Sequence, residues 1–253
     1  MDLQLAGLNA IVTGGSKGIG RAVVQAFLEE GVNVAFCARN AQDVARAESD
    51  LSYLGPKNIG SVVDVSDRIA LEAWVHNSAQ VLGGIDIVVC NVSALALVDT
   101  EESWHANLNV DLMHTVRTCR AAIAYLEKSS NASIVNISSA SALELDGAMG
   151  PYSTTKAAII AYTAYLSTSL AAKNIRANTV SPGNTYVAGG ILNQMEMANP
   201  QEYAQLLASN PTGRMGTPDE QAYAVLALSS PRASRISGTN FVVDGALTRA
   251  VQF

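Results

Sequence analysis

Residues 13 to 20 read Thr-Gly-Gly-Ser-Lys-Gly-Ile-Gly, and this stretch decides the fold of the chain. It lies between a β-branched apolar run, Ala10–Thr13, and a segment with apolar residues at helical spacing, Ile19–Glu30. Glycines in such a turn let the backbone approach a pyrophosphate closely, and the following helix N-terminus supplies free N–H groups and a favourable dipole. We therefore predict a strand–turn–helix unit that binds dinucleotide phosphates, with contacts from Gly14, Ser16, Lys17, Gly18, Ile19 and Gly20.

Further apolar runs follow this turn, and segments with helical spacing, such as Leu71–Leu82, separate them. Strands that are almost continuously apolar are typical of parallel sheets covered on both faces. The alternation predicts an α/β fold: one Rossmann-like domain over residues 1–253, a doubly wound parallel sheet of about seven strands flanked by helices. Right-handed crossovers place the carboxyl ends of the strands, and any ligand, along one edge. The predicted strands are Ala10–Thr13, Val32–Ala38, Ile59–Asp64, Ile85–Asn91, Ser133–Ser138, Ile175–Ser181 and Thr239–Val243.

One stretch, near residues 184–216, breaks the alternation. It is rich in proline and glycine and contains a helical segment, Ile191–Ala208, with no strand after it. Long insertions at the ligand edge of such a sheet are often lids, so we predict a substrate lid here. The alternative is a surface excursion without a role in binding.

The end of the second strand distinguishes between the two nicotinamide dinucleotides. NAD sites usually carry an acidic residue there to bind the ribose hydroxyls, but this chain has Ala38-Arg39-Asn40. Arg39 is suited to a phosphate, and Lys17 adds a second positive charge. We therefore expect Arg39 and Asn40 to contact the cofactor and NADP(H) to be preferred, with NAD(H) as the alternative. Arg39 would otherwise cap a helix or pair with a surface acid.

Composition and charge disfavour several other classes of protein. The net charge is −6, the sequence pI is about 5.0, and no basic stripe suggests nucleic-acid binding. The chain starts without a signal-peptide pattern, and no apolar run reaches the ~18 residues of a membrane span, so we expect a cytoplasmic protein. We expect no metal site, buried structural thiols at Cys37 and Cys90, and histidines that lie on helix surfaces or serve packing.

A tyrosine and a lysine four residues apart supply candidate acid–base chemistry. Tyr152 and Lys156 lie in a segment predicted to be helical, Tyr152–Ala172, so their side chains share a face. An ammonium group stabilises the phenolate, and the phenol can then give or take a proton near neutral pH. Upstream, a predicted strand ends in Ser138 and Ser139. A hydroxyl there could bind a substrate carbonyl oxygen; the alternative is that these serines only end the strand.

Taken together, these motifs resemble the short-chain dehydrogenases/reductases over essentially the whole chain, with similarity to 3-oxoacyl-acyl-carrier-protein reductase-like members. The motifs that carry the resemblance, in order, are the Thr13-to-Gly20 turn, Asp64-Val65, Asn91, Ser139 with Tyr152 and Lys156, and Pro182-Gly183. The resemblance implies that Tyr152 is the general acid/base, that Lys156 binds the nicotinamide ribose and stabilises the phenolate, and that Ser139 orients the carbonyl. Ser139 precedes Tyr152 by thirteen residues, as the family's serine does, which favours it over Ser138.

The same resemblance implies further cofactor contacts. Asp64 and Val65 would contact the adenine, and Asn91 would lie beside the adenine ribose. Pro182 and Gly183 would line the nicotinamide. The resemblance also implies a homo-oligomer, a tetramer or a dimer.

Three positions depart from the family pattern. Ser93 replaces the glycine of the family's Asn-Asn-Ala-Gly motif, so the backbone near the cofactor could shift or bond differently. Asp111 aligns with the family's helix asparagine, since Asn109 would point off that face; Asp111 then holds a relay water, or the relay is altered. Val187 stands where a threonine is expected, so Thr185 is the candidate contact to the nicotinamide carboxamide.

These features predict an NADP(H)-dependent oxidoreductase that transfers a hydride between nicotinamide and a ketone/secondary alcohol. An apolar lid favours reduction of an apolar or 3-oxoacyl-type small molecule. The alternatives are an oxidative alcohol, sugar or steroid dehydrogenase, and a non-catalytic dinucleotide-binding regulator. The apolar wall is expected from Tyr186, Ile191, Leu192, Met195, Met197, Leu206 and Leu207, with Ala94, Leu95 and Leu143 as further candidates.

Overall fold

The computed structural model describes residues 2–144 and 149–250 of the 253-residue chain. Its strands are β1 (Asn9–Thr13), β2 (Asn33–Ala38), β3 (Asn58–Val62), β4 (Ile87–Cys90), β5 (Ser133–Ile137), β6 (Arg176–Pro182) and β7 (Asn240–Val243). All seven pair in parallel, in the order β3-β2-β1-β4-β5-β6-β7. Each predicted apolar run therefore forms a strand, and the doubly wound α/β sheet is confirmed. The C-terminal residues 251–253, which belong to the predicted domain, lie outside the described part.

Helices cover both faces of this sheet. In the described residues they are α1 (Gly18–Glu29), α2 (Ala41–Leu51), α3 (Arg68–Leu82), α4 (Glu101–Asn107), α5 (His114–Leu126), α6 (Gly150–Ser169), α7 (Ile191–Ala198), α8 (Pro200–Ala208) and α9 (Pro218–Ser229). A π-helical segment, Leu108–Met113, joins α4 to α5. Such wide turns occur often at functional sites.

Alternate residues of each central strand point to opposite layers of the core. Ala10 and Val12 pack with Phe27 in the layer under α1, α2 and α9, whereas Ile11 packs with Trp74 in the layer under α3, α5 and α6. All five side chains are at most 4% exposed. Burying a large apolar side chain contributes roughly 1.5–3 kcal/mol, so these two layers hold the strand ends in fixed positions.

The strand order reverses direction between β1 and β4, and this reversal positions the site. In open α/β sheets a crevice forms at such a point, outside the carboxyl ends of the strands. Thr13 ends β1, Asn91 follows β4, and Ser139 lies just after β5. The candidate site residues therefore lie along one edge of the sheet.

The segment Ile191–Ala208, predicted as one helical stretch, instead forms two helices, α7 and α8. The break falls at Asn199, which adopts φ −143° and ψ 75° and accepts a hydrogen bond from the Glu202 N–H at 3.3 Å. Pro200 causes the break, since its ring disfavours helical backbone at the preceding residue and it has no N–H to donate.

The two ends of residues 184–216, the segment predicted to be a lid, are joined by backbone hydrogen bonds. The Tyr186 N–H donates to the Gly216 carbonyl at 2.9 Å, and the Gly216 N–H donates to the Asn184 carbonyl at 2.8 Å. These bonds hold the two ends together, so α7 and α8 form a closed excursion above the carboxyl edge.

Candidate active site

The glycine turn between β1 and α1 forms an open cradle. Gly14 and Gly18 have φ of +72° and +55°, in the left-handed region that favours glycine. A Cβ on Gly20 would lie 2.2 Å from the Gly14 carbonyl oxygen, so the turn closes only without a side chain there. No side chain caps α1 at Lys17, and its first turn carries no acidic residue. The free N–H groups and the helix dipole therefore suit a diphosphate.

Asn91 fixes this turn against β4. Its amide donates to the carbonyls of Thr13 and Gly14 at 3.2 and 3.3 Å, and its backbone N–H donates to the Thr13 hydroxyl at 3.0 Å. Ser16 is half-buried in the turn, and Ile19 packs against the core layer beneath α1. The structure thus brings together Asn91 and the predicted phosphate contacts.

His114 joins this group from α5, and the sequence identified it only as a surface or packing residue. Its Nε2 lies 3.1 Å from the Thr13 hydroxyl, and its Nδ1 contacts the Val110 carbonyl. Burial lowers the pKa of His114 to about 4, so the imidazole is neutral at physiological pH. His114 is therefore a buried packing residue, and only the docking of α5 on the sheet brings it to Thr13.

The end of β2 presents one exposed cation and a helix cap. Arg39 is exposed, and the Asn40 side chain accepts a hydrogen bond from the Asp43 N–H at 3.0 Å, which caps α2. Lys17 pairs with Asp43 at 2.7 Å. The cap and the pairing considered for Arg39 are therefore made by Asn40 and Lys17. Arg39 itself stays exposed at the end of β2.

Asp64 and Val65 follow β3 on the same edge. The Ser66 hydroxyl and N–H hold the pKa of Asp64 below its usual range, with a smaller contribution from Arg39. Asp64 is exposed, whereas Val65 is 2% exposed. Of this pair, the structure therefore offers the Asp64 carboxylate to a ligand in solvent.

Tyr152 and Lys156 share one face of α6. The Lys156 Nζ lies 5.6 Å from the centroid of the Tyr152 ring. Lys156 is 2% exposed, donates to the Ile137 carbonyl at 3.3 Å, and pairs with an Asp111 carboxylate oxygen at 3.1 Å. The half-buried phenol therefore lies beside a cation that is fixed from two sides.

The two serines after β5 have different partners. The Ser138 hydroxyl donates to the Lys156 carbonyl at 2.8 Å, so it joins the strand end to α6. The Ser139 oxygen accepts a bond from the Ser141 N–H at 3.2 Å, which leaves its own proton for a ligand. This difference favours Ser139 as the carbonyl-binding hydroxyl.

Ser93 and Asp111, two of the departures from the family pattern, contact each other. The Ser93 hydroxyl donates to Asp111 Oδ2 at 2.6 Å, and the Ala94 N–H donates to Oδ1 at 2.7 Å. The Asp111 side chain is completely buried in the π-helical segment. The Asn109 side chain accepts a hydrogen bond from Arg117 Nη1 at 2.9 Å and lies on another face of the helix, which agrees with the choice of Asp111 over Asn109. Nothing in the sequence pattern links Ser93 to Asp111.

The end of β6 carries the residues expected near the nicotinamide. Pro182 is buried, and Gly183 packs so closely on Asp244 that a Cβ would lie 2.6 Å from the Asp244 Cβ. The Thr185 hydroxyl donates to the Gly183 carbonyl at 3.0 Å and accepts from the Gln221 amide at 3.2 Å. Toward a carboxamide, Thr185 therefore has only an acceptor lone pair left.

Gln221 was missed by sequence reasoning. It is 1% exposed on α9, and its amide also donates to the Val243 carbonyl at 3.0 Å. It thereby joins β7 to Thr185, at the base of the segment predicted to be a lid. Val187, near the same base, lies beside the glycine turn: its methyl groups are 3.4 Å from where a Cβ of Gly18 would be.

The cysteines lie in the core. Cys37, Cys90 and Cys119 are all buried and unbridged, and burial raises the pKa of Cys37 to about 12. Across residues 2–144 and 149–250, no three His, Cys, Asp or Glu side chains cluster as metal ligands. Within the same ranges, each helix is too short or too polar to cross a bilayer.

Known proteins with a similar sequence cover nearly the whole chain. A family model described as enoyl-(acyl carrier protein) reductase matches residues 14–248. Isoepoxydon dehydrogenase of Penicillium expansum is 37% identical over 98% of both chains. The 3-oxoacyl-[acyl-carrier-protein] reductase of Chlamydia pneumoniae is 33% identical over 98% of this chain and 100% of its own.

Solved structures agree with this relationship. L-Sorbose reductase from Gluconobacter frateurii, complexed with NADPH and L-sorbose, superposes with a TM-score of 0.92 at 26% identity, covering 99% of this chain and 100% of its own. A short-chain dehydrogenase/reductase of Serratia marcescens superposes with a TM-score of 0.87 at 26% identity, covering 96% and 99%. With its seven-stranded sheet, its glycine turn and its Tyr152–Lys156 face, this chain belongs to the short-chain dehydrogenases/reductases and is an oxidoreductase acting on CH–OH/C=O.

Proposed function

We propose that this protein is an NADP(H)-dependent carbonyl reductase in which Tyr152 donates the proton. One observation carries the proposal: the Tyr152 phenol lies next to the buried Lys156 ammonium. Ser139, whose hydroxyl proton is free, follows the neighbouring strand at the same edge of the sheet.

The residues present fit a phosphorylated dinucleotide. The uncapped N-terminus of α1 suits the diphosphate, and the exposed Arg39 suits a ribose phosphate at a position where NAD sites carry an acid. Asp64 and Asn91 suit the adenosine half, while Lys156 and Thr185 suit the nicotinamide half. The NADPH complex of the structurally similar L-sorbose reductase supports the choice of NADP(H) over NAD(H).

The bound dinucleotide would supply the hydride, and the residues of the chain handle the oxygen of the substrate. Ser139 donates its hydroxyl proton in a hydrogen bond to the carbonyl oxygen and so orients it. Tyr152 donates to the same oxygen and transfers its proton as negative charge develops there. Lys156 stabilises the phenolate that remains. The segment of residues 184–216 would act as a lid that excludes water.

For the substrate, we propose an uncharged ketone of apolar or 3-oxoacyl type. Leu192, Met195, Leu206 and Leu207 are half-buried on the lid helices and offer apolar surface. The similarity to 3-oxoacyl-[acyl-carrier-protein] reductases of Chlamydia supports an acyl-type ketone.

A second candidate is a hydroxylated ketone or its alcohol, and one polar cluster on the lid favours it. Tyr186 was expected in the apolar wall, but its hydroxyl donates to the Glu196 carboxylate and accepts from the Asn193 amide at 2.7 Å. The pKa of Tyr186 is raised by the bond to Glu196. The relatives named isoepoxydon dehydrogenase and L-sorbose reductase support this candidate.

We also propose a cytoplasmic homo-oligomer, a tetramer or a dimer. Exposed apolar side chains support self-association. They lie on the helices that flank the sheet and on its edge strand β7: Leu108, Met113, Tyr165, Tyr223 and Phe241. A single species of monomer mass in sedimentation at micromolar concentration would contradict the oligomer.

The Tyr152→Phe variant tests the proposed function. We expect the rate of NADPH consumption with an accepted ketone to fall roughly 10²- to 10⁴-fold, because general acid catalysis is lost. Tyr165→Phe is the matched control: it lies on the same helix, its side chain is 64% exposed, and its rate should stay at the wild-type value. Turnover by Tyr152→Phe near the wild-type rate would contradict the proposal. NADPH binding without turnover of any ketone in a panel would favour the non-catalytic regulator.

A further inference from the structure

The buried contact between Ser93 and Asp111 changes the electrostatics beside Tyr152. Asp111 aligns with an uncharged asparagine in the family, and Ser93 aligns with a glycine that has no side chain. In this chain Asp111 Oδ2 accepts the Ser93 hydroxyl proton at 2.6 Å and lies 3.1 Å from Lys156 Nζ. The hydroxyl therefore fixes the position of this oxygen next to the Lys156 ammonium.

The ion pair is buried, so solvent screens it weakly. The Asp111 and Lys156 side chains are 0% and 2% exposed. From α5, His114 faces both groups, but it is neutral because burial lowers its pKa to about 4. On α4, the buried polar group is the uncharged amide of Asn107, which donates to the Ala96 carbonyl at 2.7 Å. From α6 itself, the facing titratable group is the Tyr152 phenol.

An isolated ammonium and an ion pair act differently on a neighbouring phenol. An ammonium alone favours the phenolate, whereas a carboxylate in contact with that ammonium cancels part of its field. With an asparagine at position 111, the full charge of Lys156 would act on Tyr152. With Asp111 held by Ser93, the net charge at this place is near zero.

We propose that Ser93 and Asp111 are positioning residues that hold Lys156 in a buried ion pair and thereby favour the protonated form of Tyr152. The proposal rests on the proposed role of Tyr152 as proton donor. Carbonyl reduction needs the phenol, and alcohol oxidation needs the phenolate. The pair therefore favours reduction across neutral pH and moves alcohol oxidation to higher pH than an asparagine at this position would.

The test is the pH profile of kcat for oxidation of the alcohol product of an accepted ketone, with saturating NADP⁺. In Asp111→Asn we expect the half-maximal point of the rising limb to move to lower pH by about one to two units, because removing one buried charge near a titrating group shifts its pKa by roughly that much. Ser93→Ala should move it the same way by less. The double variant should match Asp111→Asn, because Ser93 acts only through Asp111.

Asn109→Asp is the matched control. It adds a carboxylate two residues from Asp111, at a side chain that bonds Arg117 on another face, so its profile should coincide with the wild type. A purely structural role for the pair would lower kcat without moving the limb. If Asp111→Asn does not fold, as judged by circular dichroism, the profile of Ser93→Ala decides.

An unmoved limb in a folded Asp111→Asn variant would overturn the proposal, and so would an unmoved limb in Ser93→Ala if only that variant folds. The Tyr152→Phe result separates this failure from failure of the proposed function. An inactive Tyr152→Phe variant with an unmoved Asp111→Asn profile refutes the ion-pair proposal alone. An active Tyr152→Phe variant refutes the proposed function itself.

Discussion

Individual residues in this site are placed by partners that compensate for their burial. Lys156 is a long cation that is almost completely buried, and its ammonium is satisfied by Asp111 and the Ile137 carbonyl. Removing one member of a buried pair leaves the other charge without compensation, while replacing both is often close to neutral. The buried lysine therefore contributes to the stability of the fold as well as to the chemistry proposed for Tyr152.

The stability consequence can be measured with methionine at position 156. We expect Lys156→Met to lower the free energy of unfolding by about 3–5 kcal/mol, because Asp111 becomes an unpaired buried anion. Lys156→Met combined with Asp111→Asn should recover most of this loss but none of the activity. Urea denaturation gives the free energies; equal losses in the single and double variants would contradict the ion-pair explanation.

We propose that Arg39 is the residue that sets the cofactor preference. We expect Arg39→Ala to lower kcat/KM for NADPH roughly 10- to 100-fold while leaving that for NADH almost unchanged, since a charge-assisted bond to phosphate contributes ~1.5–3 kcal/mol. Arg46→Ala is the control, because Arg46 is exposed and lies 3.8 Å from Asp43 on the same surface. An equal loss of kcat/KM with NADPH and with NADH would show that Arg39 does not bind the ribose phosphate.

At the scale of elements, helix ends connect the scaffold to the site. Helix α1 leaves its N-terminus uncapped, whereas α9 begins with a capping box between Thr217 and Glu220. Next to that box, Gln221 holds Thr185 and Val243. The start of α9 therefore holds Thr185, at the base of the segment proposed as a lid.

The Glu220 carboxyl at the start of α9 should make the stability of the fold depend on pH. Arg214 and the Thr217 N–H lower the pKa of Glu220 to about 2, from a usual 4.5. A depressed carboxyl pKa stabilises the fold above about pH 5, and this stabilisation is lost as the pH falls toward 2. We expect Glu220→Gln to melt at a lower Tm than wild type at pH 7, with the two Tm values converging between pH 5 and pH 2.5. Glu202→Gln, at the start of α8, is the control for a general acid effect. A Tm difference that stays constant with pH would contradict the assignment.

At the scale of the whole molecule, strand order brings distant residues into one crevice. Thr13, Asn91, Ser139 and Gly183 follow or end four adjacent strands, and parallel pairing places those ends at one edge. The two core layers pack against both faces of these strands and so fix the relative positions of their ends. The segment of residues 184–216 is packed less deeply, and none of the side chains of α7 and α8 is fully buried.

Local sequence pattern predicted much of this arrangement. The strands, the glycine turn and the shared face of Tyr152 and Lys156 follow from apolar period and backbone sterics within a few residues. The helix prediction was wrong at Asn199. Apolar spacing continues past this residue, but Pro200 interrupts the helix and begins the next one.

The sequence by itself determined the parallel sheet, the glycine turn and the shared face of Tyr152 and Lys156, because these depend on short-range periodicity and on backbone freedom at glycine. Only the tertiary structure decided that Ser93 bonds Asp111, that His114 contacts Thr13, and that Gln221 bonds Thr185. Those partners lie 18, 101 and 36 residues apart along the chain, so their contact depends on how whole helices dock on the sheet. Packing of the two core layers sets that docking, and no local pattern encodes it.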